Sequence, residues 1–283
     1  MPTVEDILGP KDDRPMWNRK FRDCDKLQSE YLELLDQKLA EQKYQEFLEK
    51  NTELIPREFV QNHGVHFQTV FRKLRFGSDF ISDFCYLSKS TDDWNCILIE
   101  IEKPQSKFFK GSSSDLHSDF VKGVGQITKW RAWLSKRENF DHFVNSTLGA
   151  FRYPLQENPV SIKYVLVTGR RGEYQSNAGR RADIKSYERD DFKIISYDSL
   201  AESLETKWPL YVAAKRNDHV QILSDDLIGT SLFAWQDPTQ ICVNTSLLEK
   251  IKKHKTTRYV KDPSSGKSVE VFRYVEDKLR FRK

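Results

Sequence analysis

The chain has 283 residues, of which 38% are hydrophobic and 12% aromatic, enough apolar material for one large domain or for a core domain with an additional module. Lysine and arginine number 46 and aspartate and glutamate 42, so the net charge of +4 permits a polyanionic partner without indicating one. The four cysteines lie far apart and form no CxxC pair, which argues against a zinc site and predicts free thiols.

The N-terminal sequence and the apolar runs of the chain indicate whether it carries a signal peptide or a membrane helix. The opening "MPTVEDILGPKDDRP" has neither the basic start nor the apolar stretch of a signal peptide. No run elsewhere approaches the roughly 20 apolar residues that a membrane helix needs. We therefore expect a soluble, cytoplasmic protein without membrane contact.

The first predicted elements are a helix and three strands. Apolar residues recur at helical spacing from Leu27 to Leu48, which predicts one long amphipathic helix that ends near residue 49. Apolar segments at about 66–74, 79–87 and 95–102 follow, separated by the turn-rich "RFGSD" and "SKSTDD". They predict three consecutive strands.

Helices and strands alternate further along the chain. A helix is predicted from about 115 to 137, weakened locally by Gly123 and Gly125. The apolar "SIKYVLVTG" is typical of a strand buried on both faces, and "ADIKSYERDD" and "FKIISYD" predict another helix and strand. Asp198 is then placed to cap a short helix in "SLAESLETKW".

This order of elements predicts an α/β layered core. We place the core at residues 39–208, after an N-terminal extension at 1–38. Residues 209–283 are predicted to form a C-terminal addition, in which "TTRYVKDPSSGKSVEVFRYV" indicates a β-hairpin.

Three carboxylates are predicted to share one face of the sheet. Side chains alternate along a strand, so Glu100 and Glu102 in "ILIEIEKP" point the same way, and pairing with the preceding strand brings Asp83 of "ISDF" to that face. Such a cluster either lies open to solvent or holds a cation, because close carboxylates repel one another. Glu-x-Glu spacing alone is more often a solvated strand face, whereas a cation here would be Mg²⁺ or Mn²⁺.

Several stretches carry a family resemblance when taken together. "FLEKNTELI", "ISDF", "LIEIEKP", "GQITKWRAWL", "YVLVTGRRGE" and "IISYDSL" occur in this order over about residues 45–205. They resemble the PD-(D/E)xK nuclease superfamily, and more closely the Shedu immune nuclease family of bacterial anti-phage defence. The resemblance implies a restriction-endonuclease-like core of helix, three strands, helix and strand, with N-terminal helical and C-terminal extensions. It also implies a Mg²⁺-dependent DNA endonuclease, a homo-oligomer and a phage-derived trigger.

The resemblance also implies site residues. Asp83 and Glu100 match the metal-binding acids, and Gln126 matches the glutamine of the following helix. Glu102 stands where the family commonly has a catalytic lysine, and Lys103 is one position late and on the other face. A glutamate there can accept a hydrogen bond from the attacking water, act as general base or bind a second metal ion. We therefore predict Asp83, Glu100, Glu102 and Gln126 as catalytic and the three acids as metal ligands.

Other charged residues are weaker candidates. Arg170, Arg171, Arg180 and Arg181 follow the strand in "KYVLVTG" and are predicted to position DNA through its phosphates, and Lys129 lies beside Gln126 at helical spacing, although exposed cations are usually just solvated. Glu49 occupies the preceding helix, where superfamily members often carry a further acid, but the neighbouring Glu46 and Glu53 leave that choice open.

Two other functions remain open at this point. The first is a catalytically silent nucleic-acid-binding or assembly module of the same fold, which metal binding and turnover distinguish from a nuclease. The second is a repair or recombination exonuclease of the same superfamily, which differs in its dependence on DNA ends.

Overall fold

One mixed sheet organises the chain. The computed structural model describes residues 23–78, 80–153, 155–236, 240–253, 259–261 and 268–270. The helices in this part are α1 (Cys24–Leu35), α2 (Glu41–Lys50), α3 (Ser118–Leu134), α4 (Arg137–His142), α5 (Ala178–Ser186), α6 (Tyr197–Leu200), α7 (Ser231–Trp235) and α8 (Thr245–Lys253). The strands are β1 (Val65–Phe76), β2 (Phe80–Lys89), β3 (Trp94–Ile101), β4 (Val160–Val167), β5 (Phe192–Ile195), β6 (Tyr211–Lys215), β7 (Val220–Ile222), β8 (Ile241–Cys242), β9 (Tyr259–Lys261) and β10 (Ser268–Glu270).

The sheet has eight strands in the order β5-β4-β3-β2-β1-β6-β7-β8. Strands β1, β2 and β3 are antiparallel neighbours, whereas β4 and β5 continue from β3 in parallel. Strand β6 pairs with β1 in parallel, so residues beyond 210 extend the same sheet. Strands β9 and β10 form a separate antiparallel pair where the sequence predicts a hairpin.

Both faces of the central sheet are covered, which makes this an α/β fold. On β3, Cys96 and Leu98 belong to the apolar cluster that includes Phe120, Ile127 and Trp130 of α3. The alternate residues Ile97 and Ile99 belong to the opposite cluster, with Leu27 and Tyr31 of α1 and Tyr44 and Leu48 of α2. Alternate side chains of β3 therefore pack into two different hydrophobic cores, one on each face of the sheet.

Most predicted elements of the core are confirmed, with small shifts at their ends. The three central strands, α3, β4, α5 and β5 all lie where apolar periodicity places them. The four cysteines are free thiols, as predicted. Within the described residues, none of the helices is long and apolar enough to cross a membrane.

The prediction of a single N-terminal helix is wrong, because the helix breaks into α1 and α2. Three side-chain hydrogen bonds satisfy the backbone carbonyls exposed at the break. Tyr44 Oη donates to the carbonyl of Gln37, and Gln105 Nε2 donates to the carbonyls of Leu35 and Gln37, the last at 2.6 Å. Gln105 comes from outside the segment, so local periodicity does not reveal its contribution to the break.

Asp198 does not cap a helix as predicted. Helix α6 has Ser196 at its N-cap, and Asp198 lies within the first turn. The Asp198 carboxylate accepts hydrogen bonds from Arg170 Nε at 2.9 Å and from the Arg171 backbone N–H at 2.7 Å. Residues 1–22 of the predicted N-terminal extension lie outside the described residues, and the domain boundaries stay a prediction.

Two glycines of α3 have different surroundings. A Cβ atom at Gly123 would lie 3.1 Å from the Leu166 methyl groups and 3.5 Å from Glu102 Cγ, whereas one at Gly125 would meet nothing within 4 Å. Gly123 thus lets α3 approach the end of β3 closely.

The two positions should therefore respond in opposite directions. We expect Gly125→Ala to stabilise the protein by about 0.5–1 kcal/mol through helix propensity. Gly123→Val should destabilise it by about 1–3 kcal/mol through overpacking. Urea unfolding of both variants measures the difference, and a stabilised Gly123→Val would contradict the close packing.

Candidate active site

The three acids predicted to converge do lie together at one end of the central strands. Phe84 pairs with Ile99 across β2 and β3, which sets Asp83 opposite Glu100. Glu102 follows β3 directly, and its backbone N–H donates to the carbonyl of Val167 at 2.9 Å. The charges of Asp83 and Glu102 both raise the pKa of Glu100, as expected for neighbouring carboxylates.

Asp83 is held by two contacts. Its Oδ2 accepts a hydrogen bond from the backbone N–H of Ile101 at 2.8 Å, and its Oδ1 binds the Nζ of Lys73 on β1. The Lys73 backbone has a φ of 44°, a left-handed conformation that is uncommon for a residue other than glycine. Asp83 is buried, so this ion pair fixes its side chain and supplies a positive charge to the acids. Sequence reasoning missed Lys73, which is far from the motif along the chain.

Glu100 has the most strongly perturbed carboxyl group of the cluster. Burial raises the pKa of Glu100 far above its usual range, and the charges of Asp83, Glu102 and Glu41 raise it further. Burial likewise raises the pKa of Glu102, with Lys122 of α3 opposing it. The raised pKa favours the protonated form of Glu100 at neutral pH. Carboxyl groups perturbed by desolvation and by specific neighbouring charges often occur at functional sites.

The acid of the preceding helix whose charge acts on Glu100 and Glu102 is Glu41 rather than Glu49. Glu41 is the first residue of α2, and its charge raises the pKa values of Glu100 and Glu102. Glu49 is occupied elsewhere, because its Oε1 binds Arg72 Nε at 3.0 Å and accepts from Gln45 Nε2 at 2.8 Å. The break between α1 and α2 makes Glu41 a helix start, so the single-helix prediction concealed it.

Helix α3 covers the Glu102 side of the acids. Lys122 lowers the pKa of Glu102, and Gly123 lies close to the Glu102 side chain. Gln126 is half-buried one turn further along α3, and Lys129 is exposed. Gln126 and Lys129 therefore lie on the helix that flanks the site. Their positions alone do not decide a catalytic or nucleic-acid-binding role. Lys103 is exposed in the turn after β3, and its charge lowers the pKa of Glu41.

The predicted phosphate-binding arginines are committed to protein carboxylates. Arg170 binds Asp36 and Asp198, each at 2.9 Å. Arg171 Nη2 binds the carboxylate of Glu202 and donates to Ser199 Oγ at 3.1 Å. These contacts fasten the loop after β4 to α1 and α6, so part of each guanidinium is occupied by protein carboxylates.

The chemistry of the acids fits a hard divalent cation better than a soft one. Four carboxylates offer only oxygen donors, which Mg²⁺ and Mn²⁺ prefer. Among the residues that the structure describes, no group of three or more His, Cys, Asp or Glu side chains is already arranged to hold a metal ion. Both carboxylate oxygens of Asp83 already have a protein partner, the Ile101 N–H and the Lys73 Nζ. A metal ion can bind Asp83 Oδ1 only after Lys73 Nζ moves away from it.

The protonation of Glu100 predicts how stability depends on pH. The folded-state pKa of Glu100 lies above the unfolded value, so its contribution to stability is complete below the ordinary carboxyl pKa and is lost as the pH rises towards the raised value. Glu100→Gln removes that loss. In metal-free buffer we expect the variant to have a higher melting temperature than wild type at pH 8 and a nearly equal one at pH 4.5.

Glu33→Gln on the exposed face of α1 is the matched control and should change neither value. A Glu100→Gln variant less stable than wild type at pH 8 would contradict the raised pKa of the Glu100 carboxyl group.

Comparison with known proteins adds the family. Residues 38–201 match the family model described as Shedu protein SduA, C-terminal, which covers more than half of the chain and includes all four acids. No curated protein matches the chain. The match spans α2 to α6, the part of the sequence whose motifs carry the resemblance. The chain belongs to the Shedu family, through the C-terminal region of SduA.

Proposed function

We propose that this protein is a metal-dependent DNA endonuclease of bacterial anti-phage defence. One observation carries the proposal: the charges of Glu41, Asp83 and Glu102 act on Glu100 at the end of the central strands, where they and desolvation raise the pKa of Glu100. Like charges are costly to bring together unless a cation compensates for them. Membership of the Shedu family supports the nuclease interpretation and its role in defence.

The arrangement of elements supports a PD-(D/E)xK core. Helix α2 precedes three antiparallel strands, and α3 leads to the parallel strand β4. Asp83 lies on β2, Glu100 lies on β3, and Glu102 follows β3 directly. This is the order of helix, three strands, helix and strand that the resemblance implies. A homo-oligomer and a phage-derived trigger are further proposals that rest on the resemblance alone.

The side chains suggest distinct roles. Asp83, Glu100 and Glu102 would hold Mg²⁺ or Mn²⁺, which when bound polarises a phosphate and makes water more acidic. Glu102 is half-buried and accessible enough to accept a hydrogen bond from the attacking water. Lys73 and Lys122 offset the negative charge that Glu102 adds near a phosphate. Gln126 lies on the flanking helix, where it can orient substrate or water.

A silent module of the same fold is the second candidate, and one observation favours it. The ion pair between Lys73 and Asp83 already neutralises the acid that matches the first metal ligand, and a glutamate stands in place of the family's lysine. A domain in this state would bind nucleic acid or partner subunits without turnover.

Cleavage of supercoiled plasmid DNA with Mg²⁺ or Mn²⁺ tests the nuclease proposal. We expect Asp83→Asn and Glu100→Gln each to reduce turnover by at least about 100-fold, because each removes a predicted metal ligand. Glu49→Gln and Lys103→Ala should retain most activity, since Glu49 lies outside the cluster and Lys103 is in the turn after β3.

Equal losses in Glu49→Gln and Glu100→Gln would remove the assignment of the acids. Cleavage of linear DNA with no cleavage of closed circles would favour the exonuclease.

Glu102 distinguishes the nuclease from the silent module. If Glu102 orients water or holds metal, Glu102→Ala should abolish cleavage and leave DNA binding unchanged or tighter, because a negative charge near the phosphate has been removed. Plasmid cleavage and fluorescence anisotropy measure the two effects separately. A wild-type protein inert with both metals, together with an active Glu102→Lys variant, would establish the silent module.

A further inference from the structure

A cleft of about 760 Å³ lies beside the acids, on the side of β1 and β6. It is called the basic cleft below, and five cationic residues line it: Arg72, Lys73, Arg75, Lys215 and Arg216. The other residues on its walls are His142, Ser146, Thr147, Asn217, Ala214, Ile81 and Leu223. None of the described residues that line it carries a carboxylate, although acids nearly balance bases over the whole chain.

Two of the five cations are paired with carboxylates that do not line the cleft, Arg72 with Glu49 and Lys73 with Asp83, and the partners of the other three leave positive charge in the basic cleft. Arg75 is exposed and has no ion pair among the described residues. Arg216 donates through Nε and Nη2 to the neutral amide oxygen of Gln221, at 3.2 and 3.0 Å. Lys215 donates to the backbone carbonyl of Arg216 at 2.9 Å. Neutral partners orient these groups without cancelling their charge, so the basic cleft attracts anions.

A second cavity shows that this charge is local. The cavity of about 600 Å³ near Trp208 is lined by more acids than bases, namely Glu49, Glu53, Glu205, Asp225 and Asp226 against Lys50 and Lys207. The two cavities adjoin, since Leu223 lines both and Arg72 of the basic cleft binds Glu49 of the other, but their charges differ in sign. The basic cleft adds the hydroxyl groups of Ser146 and Thr147 to its cations. Such donors commonly bind phosphate oxygens.

Lys73 connects the basic cleft to the acids. Its side chain lines the cleft and its Nζ binds Asp83 Oδ1. The β1 and β6 side of the sheet is opposite to β4 and β5, whose connection carries α5, Arg170 and Arg171. An anionic chain that follows the cleft thus reaches the acid cluster at Lys73, whereas one bound at α5 approaches from the other edge.

We propose that the basic cleft binds the phosphodiester backbone of DNA and leads it to the acids at Lys73. The delivery to a cleaving site rests on the proposed nuclease function, whereas the binding itself does not. Contacts to phosphates carry no sequence information, so binding in the cleft is independent of sequence and weakens as salt increases.

DNA binding by a Glu100→Gln protein in metal-free buffer tests the cleft separately from catalysis. Fluorescence anisotropy with a labelled duplex of mixed sequence measures Kd over a range of salt concentrations. In this background we expect Arg75→Gln with Arg216→Gln to weaken binding at least tenfold at low salt. The slope of log K against log salt should become shallower by nearly two, because each neutralised phosphate contributes roughly 0.9 to that slope.

Arg181→Gln is the matched control, because it removes one exposed cation from α5 at the other edge of the sheet. It should leave both Kd and slope close to the parent values. Equal melting temperatures would show that the exposed positions do not affect folding.

Three outcomes separate the possibilities. Weaker affinity with a shallower slope in the double variant alone supports the cleft. Equal effects of the double variant and Arg181→Gln, or no DNA binding by the parent protein, would overturn it. Tight cleft-dependent binding by a wild-type protein that never cleaves DNA would support the cleft and refute the nuclease, so the two proposals fail separately.

Discussion

The repulsion among four carboxylates at the end of β3 is the constraint on which this site depends. Glu100 is half-buried beside Asp83, Glu102 and Glu41, and its raised pKa favours a proton that removes the charge that would cost most there. The ammonium group of Lys73 likewise compensates the charge of Asp83 through an ion pair. The backbone of Lys73 is held in an unfavourable left-handed conformation. A proton and an ammonium group thus offset part of the negative charge of the acids.

The surrounding fold brings these groups from distant parts of the chain to one place. Antiparallel pairing sets Asp83 beside Glu100, and the start of α2 adds Glu41. Close packing of α3 at Gly123 closes the site over Glu102. Successive side chains of β3 point to opposite faces of the sheet, each covered by its own apolar cluster. Burial of Ile97 and Ile99 on one face therefore places Glu100 on the other. The position of the acids is therefore a consequence of core packing.

Charge is distributed to match this arrangement. Arg170 and Arg171 fasten the loop after β4 through ion pairs with Asp36, Asp198 and Glu202. On the β1 and β6 side, Arg72 and Lys73 are paired with Glu49 and Asp83, whereas Arg75 and Arg216 have no ion pair among the described residues, and this is the side of the sheet from which Lys73 reaches the acids. Counting arginines cannot distinguish the two groups, because the partner of each guanidinium decides whether its charge is available.

The sequence by itself determined the strands, the helix after them and the face shared by Asp83, Glu100 and Glu102, because periodicity of two or 3.6 residues is a local property of the chain. Its motifs also identified the family, which the match over residues 38–201 confirms. Only the tertiary structure decided that Glu41 joins the acids and Glu49 does not, that Lys73 pairs with Asp83, and that Arg170 and Arg171 bind Asp36, Asp198 and Glu202. Each of these outcomes depends on which side chains meet after the chain folds back on itself, and no local pattern encodes such contacts between distant segments.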